Sequence, residues 1–286
     1  MAKIRIIPRL DIKGPNLVKG IHLEGLRVVG KPEIFARHYY EQGADELFFI
    51  DVVASLYERN SLDDIISNTA KEIFIPLTVG GGLRTLDDIR KVLRAGADKV
   101  SINTAALKNP NFISEAALKF GSSTIVVAIE AIKQPNGKYF AYTDNAREFT
   151  GVEVFEWAQK VVELGAGEIC ITSVDNEGTG IGFDTELIQG VSNLVNVPVI
   201  AHGGAGKKED VLNLVNSVDV NAVAIASMFH YDYLNNGYNH DHIACEEGNL
   251  EFLSKKRKVN AFSVSSITDL KEYLKINNIS IREINN

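Results

Sequence analysis

The sequence has little cysteine, no long uncharged apolar run and no excess of basic residues. Its two cysteines, Cys170 and Cys245, are too few for a disulfide framework, and no cysteine and histidine spacing fits a zinc site. No uncharged apolar run approaches the length of a membrane span, which is about 18 residues. The amino terminus carries Pro8 and Asp11 where a signal peptide has its apolar core. We therefore expect a cytoplasmic protein without metal, cofactor or membrane span.

The net charge limits the classes of partner. The chain has 286 residues, with 30 lysines and arginines against 37 aspartates and glutamates, and a formal charge of −7. This acidic balance argues against nucleic acid as the main partner. A phosphorylated small molecule remains compatible, because backbone amides and helix N-termini can bind its phosphates without basic side chains.

Eight short apolar runs rich in valine and isoleucine alternate with helical patterns up to about residue 230. Such an alternation predicts a parallel sheet, and eight strands close a barrel. We therefore predict the α/β class, with a single (β/α)8 barrel domain over residues 1–286. The predicted strands are residues 4–10, 46–52, 74–79, 99–103, 123–129, 168–174, 197–202 and 222–227.

An internal repeat supports this fold and predicts two half-barrels of four strands each. Pro76 and Pro198 occupy matching positions 122 residues apart. A feature present in both halves is then expected to face its copy across the barrel. The other matched pairs are Gly43 with Gly165, Asp11 with Glu130, and Thr104 with Ser227.

The segment after the eighth strand does not fit the repeat. Residues 230–266 separate that strand from a last predicted helix near Ile267–Ile276. A stretch this long without secondary structure is uncommon and is typical of functional loops. We interpret 230–266 as an insertion that forms a loop, a lid or a partner surface.

Two acidic residues end predicted strands at the face where such barrels have their active sites. Asp11 ends the first strand and Glu130 the fifth. Two carboxylates that face each other can act as general acid and general base when their pKa values differ. The alternative is that each caps the loop or helix that follows it.

Two glycine-rich turns predict phosphate sites. Gly81 and Gly82 follow the third strand, and Gly203 and Gly204 follow the seventh. Glycines let backbone amides approach a phosphate closely, although a single pair is usually only a tight turn. Two related copies predict opposed sites and a ligand phosphorylated at both ends. The next strand of each half adds hydrogen-bonding groups, from Asn103 and Thr104 in one half and from Ser227 in the other.

Further polar residues flank these sites. Asp51 ends the second strand, and Asp175 and Glu177 follow the sixth, where they can accept hydrogen bonds from substrate hydroxyls. An Asx turn is the alternative for Asp175. Lys13 and Lys19 in the first loop are candidates to close over a phosphate, or else are solvated surface lysines.

Four charged residues lie at strand starts, at the opposite end of the barrel from Asp11. Strand alternation directs Arg5 and Arg9 to the interior if Asp11 points there. Charges inside a barrel are costly unless paired, so a neutral ring is expected. Such a ring is either a structural plug or a gate to an axial passage. Its members are Arg5, Glu46, Lys99 and Glu168.

The segments IPLTVGGG, AGADKVSINT, GAGEI and GGAG, with Asp11 in PRLDIK, carry a resemblance to a known family. The sequence resembles the cyclase subunit of imidazole glycerol phosphate synthase over residues 1–230 and the last helix. The resemblance implies a barrel that takes ammonia from a glutaminase subunit. It also implies a bis-phosphorylated ribotide as substrate, and imidazole glycerol phosphate and an aminoimidazole carboxamide ribotide as products.

The resemblance also implies roles for individual residues. Asp11 and Glu130 correspond to the catalytic pair, and Arg5, Glu46, Lys99 and Glu168 to an ammonia gate. The residues implied in substrate and phosphate binding are Lys19, Asp51, Gly81, Gly82, Asn103, Thr104, Thr172, Glu177, Gly178, Gly203, Gly204, Ala226 and Ser227.

Several residues at the mouth depart from the family pattern. Glu130 replaces an aspartate, and Arg9 stands where a small cysteine is usual. An inward Arg9 needs a partner, and Asp11 or Glu130 is available. His202 replaces a small polar residue, and Glu177 an aspartate.

These departures leave three functions open. The first is the cyclase of histidine biosynthesis. The second is a paralogue that passes ammonia from a glutaminase to a separate amide- or amidine-forming sugar enzyme of surface-polysaccharide synthesis. The third is a non-catalytic sugar-phosphate-binding scaffold subunit. The related sugar isomerase is disfavoured, since it takes no ammonia and has no use for a gate.

Overall fold

The computed structural model describes residues 3–54, 62–236 and 262–282. The strands of these residues, in chain order, are β1 (Arg5–Lys13), β2 (Asn16–Ile21), β3 (Glu24–Gly30), β4 (Leu47–Asp51), β5 (Leu77–Gly80), β6 (Lys99–Ile102), β7 (Ile125–Lys133), β8 (Tyr139–Thr143), β9 (Glu148–Glu153), β10 (Glu168–Ser173), β11 (Val199–His202) and β12 (Ala222–Ile225). Eight of them (β1, β4, β5, β6, β7, β10, β11 and β12) pair in parallel around a closed ring, in which β12 returns to β1. The predicted (β/α)8 barrel is confirmed.

The other four strands form two antiparallel additions at the mouth of the barrel. The pair β2–β3 extends from β1, and the pair β8–β9 extends from β7. Both pairs follow nine-residue strands, so the two halves match, as the repeat predicts. The sequence reading missed these strands, because they are short and their exposed positions are polar or interrupted by glycine.

The described helices are α1 (Pro32–Glu41), α2 (Asp63–Glu72), α3 (Leu86–Ala95), α4 (Thr104–Lys108), α5 (Asn111–Phe120), α6 (Val154–Glu163), α7 (Thr185–Leu194), α8 (Lys208–Ser217), α9 (Ser227–Asn236) and α10 (Ile267–Ile276). In α6, residues spaced three and four apart are buried, including Val154, Trp157 and Val161.

The internal repeat is also visible at the first turns of two helices, α3 and α8. Asp88 Oδ2 accepts the backbone N–H of Thr85 at 3.0 Å, and Asp210 Oδ2 that of Lys207 at 3.0 Å.

Helix α9 corrects one sequence-based expectation. The segment 230–266 was expected to lack secondary structure, but its first residues continue a helix that begins at Ser227 and ends at Asn236. His230 is buried in this helix, and Tyr39 and His230 share a 2.6 Å hydrogen bond. The rest of the expected insertion up to residue 261 lies outside the described residues.

Of the three apolar clusters among the described residues, two pack the barrel strands. The larger one lies between strands and helices and includes Ile6, Leu10 and Ile12 of β1. The smaller one fills the barrel interior with Ile7, Phe48, Val126, Cys170, Ile200, Ala222 and Ala224. Because side chains alternate along β1, Arg5 and Arg9 share the inward direction of Ile7. The interior is therefore layered, with charges below, apolar side chains in the middle and polar groups at the mouth.

The last described helix, α10, is held against the barrel by a buried ion pair. Lys271 Nζ of α10 lies 2.8 Å from Asp45 Oδ1, and both side chains are almost fully buried. Asp45 Oδ2 also accepts the backbone N–H of Ile6 at 2.8 Å. No helix within the described ranges is long and apolar enough to cross a membrane.

Candidate active site at the mouth of the barrel

The polar groups at the carboxyl ends of the strands surround a cavity of about 140 Å³. The cavity reaches from the loops at the mouth down to Cys170 and Phe48 of the apolar layer. Of the predicted site residues, it is lined by Asp51, Gly81, Gly82, Asn103, Thr104, Glu130 and Thr172. The structure thus brings one half of the predicted site together with one of the two predicted catalytic carboxylates.

Arg9 crosses the barrel interior just below the mouth. Its Nη1 lies 3.4 Å from Thr172 Oγ1 on β10 and 3.1 Å from His202 Nδ1 on β11. Strand β10 is three positions from β1 around an eight-strand ring, so this contact spans the interior close to its axis. Arg9 and His202 are both buried. The long cationic side chain therefore forms a bridge between the two halves of the mouth.

Asp11 is the ion-pair partner of Arg9. Arg9 Nε donates to Asp11 Oδ1 at 2.9 Å, and both side chains are nearly inaccessible. Burial lowers the pKa of Arg9, but the charge and hydrogen bond of Asp11, together with the nearby Cys170 and Glu177, outweigh this effect and the net pKa is raised. Of the two partners anticipated for Arg9, Asp11 is the one in direct contact.

His202 is held neutral by this bridge. Its pKa is lowered well below the ordinary value by burial and by the positive charges of Arg9 and Lys19. The guanidinium of Arg9 can only donate, so Nδ1 of His202 accepts and the ring proton belongs on Nε2. His202 thereby fixes the far end of the Arg9 side chain.

Glu130 lies on β7, opposite β1 in the ring, and its pKa is raised from 4.5 to about 7. Burial is the main cause, and the hydrogen bond from the Ala146 backbone and the charge of Arg9 offset part of it. The Glu130 side chain is partly accessible because it lines the cavity, but the cavity itself lies within the protein. Its Oε2 accepts the Ala146 N–H at 2.7 Å. Glu130 is therefore close to half-protonated at neutral pH.

The glycine turn after β5 forms the wall of the open cavity. Gly81 has φ of +99°, and a Cβ there would collide with the backbone of Asp51. Asn103 Nδ2 donates to the Tyr142 carbonyl at 3.2 Å, and Thr104 Oγ1 accepts the Asp144 N–H at 3.3 Å. These contacts orient Asn103 and Thr104 at the start of α4, beside the cavity.

The matching turn after β11 is closed. Gly203 has φ of +98°, and a Cβ there would meet the backbone of Ser173, which corresponds to the packing of Gly81 on Asp51. The space at this turn is about 10 Å³, room for at most about one water molecule. Its lining includes Glu177, Gly178, His202, Gly203, Gly204, Ala226 and Ser227. The two predicted phosphate sites are equivalent in backbone but not in accessible space.

Lys19 and Glu177 form a buried ion pair above the closed turn. Lys19 Nζ contacts Glu177 Oε1, and it also donates to the Gly20 carbonyl at 2.9 Å. Both side chains are almost fully buried. Lys19 is thus neither a solvated surface lysine nor directed into the open cavity.

The remaining predicted acceptors have backbone partners. Asp51 Oδ1 accepts the Val53 N–H at 3.1 Å and Asp175 Oδ2 the Lys133 N–H at 2.8 Å. Asp51 lines the open cavity, whereas Asp175 does not. The contact of Asp175 is with strand β7 and is not the Asx turn that was the alternative for this residue, whereas Asp51 makes the two-residue contact typical of an Asx turn.

At the bottom of the barrel, the four predicted ring residues contact one another. Glu46 Oε2 lies 2.8 Å from Arg5 Nη1 and 3.0 Å from Lys99 Nζ. Glu168 completes the ring through Lys99 Nζ at 3.0 Å and through Arg5. Thr78 Oγ1 also donates to Glu46 Oε1 at 2.5 Å. The ring is neutral and alternates in sign, so each charge has two opposite neighbours.

The turn between β8 and β9 contributes groups that the sequence reading missed. Asn145 lines the cavity and donates from Nδ2 to the Leu23 carbonyl at 2.5 Å, and Ala146 supplies the N–H to Glu130. Asp144, Asn145 and Ala146 all have positive φ. An Asp-Asn pair between two short apolar runs is a turn signal that could have identified this segment. Among the described residues, no group of three metal-ligating side chains could hold a metal ion.

Comparisons with known proteins agree with this geometry. The profile of the family described as "Histidine biosynthesis protein" matches residues 5–235. The imidazole glycerol phosphate synthase subunit HisF of Legionella pneumophila is 58% identical over 210 residues, which cover 73% of this chain and 99% of that protein. The HisF subunit of Alkaliphilus metalliredigens is 46% identical, covering 80% of this chain and 90% of its own. The HisF subunit of Lactococcus lactis is also 46% identical, and the match covers 79% of this chain and 88% of that protein. The chain therefore belongs to the histidine biosynthesis protein family, as a relative of the cyclase subunit of imidazole glycerol phosphate synthase.

Proposed function

We propose that the protein is the ammonia-accepting cyclase subunit of a cytoplasmic glutamine amidotransferase complex. It converts a bis-phosphorylated ribotide into imidazole glycerol phosphate and an aminoimidazole carboxamide ribotide, in histidine biosynthesis. The names of its relatives support the reaction. The observation that carries the proposal is the pair of carboxylates on opposite strands of the mouth, Asp11 and Glu130, in unlike environments.

The environments divide the acid and base roles. Asp11 lies in an ion pair with Arg9, at the end of the strand opposite Glu130, and we assign it the role of general base. Glu130, with a pKa of about 7, can donate a proton and take it back near neutral pH. Asp11 therefore serves ring closure, and Glu130 the complementary proton transfers of elimination.

Substrate and ammonia reach these carboxylates from opposite ends of the barrel. Gly81, Gly82, Asn103 and Thr104 bind one phosphate, and the turn at Gly203, Gly204, Ala226 and Ser227 binds the other. Asp51, Thr172 and Gly178 belong to the same binding surface. A glutaminase subunit docks at the charged ring, and ammonia passes Arg5, Glu46, Lys99 and Glu168 into the interior.

The decisive experiment supplies the bis-phosphorylated ribotide with an ammonium salt and measures imidazole glycerol phosphate by mass spectrometry. We expect product from the wild type and a loss of at least about a hundredfold in Asp11→Asn, the usual scale for a general base. A folded wild type that forms no product, yet stimulates a glutaminase partner, would overturn the cyclase reading.

Arg9 favours a second candidate function, delivery of ammonia to a separate sugar enzyme of surface-polysaccharide synthesis. Its guanidinium bridges the mouth between the two phosphate turns, where a ligand that reaches both must lie. In this candidate the ring still conducts ammonia, but the mouth does not cyclise the ribotide. The variant Arg9→Cys separates the two candidates. If the protein is the paralogue, the variant forms no imidazole glycerol phosphate, as the wild type forms none. If the protein is the cyclase, the variant still forms this product.

A further inference from the structure

The hairpin β2–β3 lies docked over the closed glycine turn. His22 donates its backbone N–H to the Glu177 carbonyl at 2.9 Å, and Leu23 donates its N–H to Glu177 Oε2 at 3.1 Å. Asn145 holds the same tip through the Leu23 carbonyl. Gly178 allows the close approach, since a Cβ there would come within 2.6 Å of the Gly20 carbonyl oxygen. A single carboxylate, Glu177, thus contacts the hairpin through both its oxygens.

The docked state depends on the charge of Lys19. Glu177 is buried to about 1% exposure, and Lys19 is the cation in direct contact with it. A buried carboxylate that loses its cation becomes an uncompensated charge, which strongly destabilises that arrangement. The pairing of Lys19 with Glu177 therefore contributes to keeping the hairpin docked.

The closed turn and Lys19 belong to the same electrostatic environment. The charge of Lys19 lowers the pKa of His202, which lines that turn. Glu177 also lines it, so a phosphate bound there would lie beside the carboxyl group that already holds Lys19. A phosphate at this turn and the carboxylate of Glu177 therefore compete for one cation and for one small space.

From this competition we propose that Glu177 acts as an internal substitute for phosphate, and that a ligand phosphate at the turn of Gly203 and Gly204 exchanges with it on Lys19. Exchange releases Glu177 and frees the hairpin to close over the ligand. A ligand with a phosphate only at Gly81 and Gly82 leaves the pair intact. Glu177 thereby selects ligands phosphorylated at both ends. The inference rests on the proposed function only in taking the second turn as a phosphate site.

The test uses the full chain, the variant Glu177→Gln and the control Glu186→Gln, which makes the same change at an exposed carboxylate paired with Lys133. Trypsin cleaves after Lys19 only when the hairpin leaves the barrel. We expect Glu177→Gln to be cleaved there at least about tenfold faster than the wild type or the control. Millimolar inorganic phosphate should restore protection, because it replaces the missing carboxylate on Lys19.

A binding measurement completes the test without any turnover. Calorimetry with inorganic phosphate should give one site in the wild type and two in Glu177→Gln. Lys19→Gln, which also breaks the pair, should gain no second site, and phosphate should not protect its hairpin at Arg27. Unchanged cleavage in Glu177→Gln, or cleavage that phosphate does not slow, would overturn the proposal. Circular dichroism confirms the fold of each variant. A chain that passes these tests but forms no product would instead refute the proposed cyclase.

Discussion

Glu130 and Asp11 differ mainly in what surrounds them. Asp11 has the guanidinium of Arg9 at 2.9 Å, whereas Glu130 has a backbone N–H and the more distant charge of Arg9. Desolvation therefore dominates at Glu130 and raises its pKa to about 7. One arginine thus separates two carboxylates that the repeat makes equivalent.

The raised pKa of Glu130 predicts a pH-dependent stability. A folded-state pKa above the ordinary value of 4.5 favours the protonated form, so its stabilisation is full below about pH 4.5 and is lost as pH rises through about 7. Glu130→Gln removes this loss. We compare the free energy of unfolding of Glu130→Gln with that of the wild type. The difference should grow by about 2 kcal/mol in favour of the variant between about pH 4.5 and about pH 7, and it should stay constant above that range. Urea unfolding at several pH values measures it.

A matched control is Glu115→Gln on the exposed side of α5. The difference in free energy of unfolding between this variant and the wild type should not change across the same pH range. A Glu130→Gln difference that is equally flat would show that the carboxyl is ionised throughout, contrary to this account.

Among the described elements, helix α10 is joined to the barrel by a buried ion pair. Helix α10 returns to the bottom of the barrel, where the Ile267 N–H binds Gln42 Oε1 at 3.0 Å. Lys271 is buried beside Asp45, which also holds the N–H of Ile6 on β1. The helix that follows the undescribed residues 237–261 is thereby joined to the first barrel strand.

Replacing Lys271 should destabilise this junction. Lys271→Met leaves the buried carboxylate of Asp45 without its cation, which costs about 3–5 kcal/mol in comparable pairs. Asp45→Asn combined with Lys271→Met should recover part of this loss, because no charge then remains unpaired and the Ile6 N–H keeps an acceptor. Lys91→Met on the exposed face of α3 should stay within about 0.5 kcal/mol. Chemical unfolding of the four proteins tests this, and a neutral Lys271→Met would contradict it.

At the scale of the whole molecule, three layers lie along the barrel axis. The charged ring is at the bottom, the apolar cluster around Ile7 and Phe48 in the middle, and the bridge from Arg9 to His202 at the mouth. Neutral ammonia can enter an apolar interior at far lower cost than ammonium. The layering therefore fits a passage that admits the neutral molecule and delivers it beside Asp11.

Lys99→Met should affect turnover with glutamine differently from turnover with added ammonium salt. It leaves Glu46 and Glu168 with Arg5 as their remaining cation in the ring, so the ring gains net negative charge and its geometry relaxes. We expect glutamine-dependent turnover of the complex to fall about tenfold or more, equivalent to at least about 1.4 kcal/mol of barrier. Turnover with added ammonium salt, which reaches the open mouth directly, should stay nearly unchanged. Equal losses from both sources would mean that the ring only supports the fold.

The sequence alone predicted the barrel and its twofold repeat. It also predicted the inward direction of Arg5 and Arg9 and the positions of the glycine turns. These depend on local periodicity and on spacing along the chain, which a single sequence displays. The mouth-side hairpins and the extent of α9 were missed, because short, partly polar elements carry weak periodic signals.

Only the tertiary structure decided how the charges pair. The sequence left Arg9 with two possible partners and Lys19 with a choice between solvent and phosphate. The folded chain pairs Arg9 with Asp11 and Lys19 with Glu177, and it closes one phosphate turn while leaving the other open. Pairing energies at the mouth depend on distance and burial between residues far apart in the chain, and only closure of the barrel sets these.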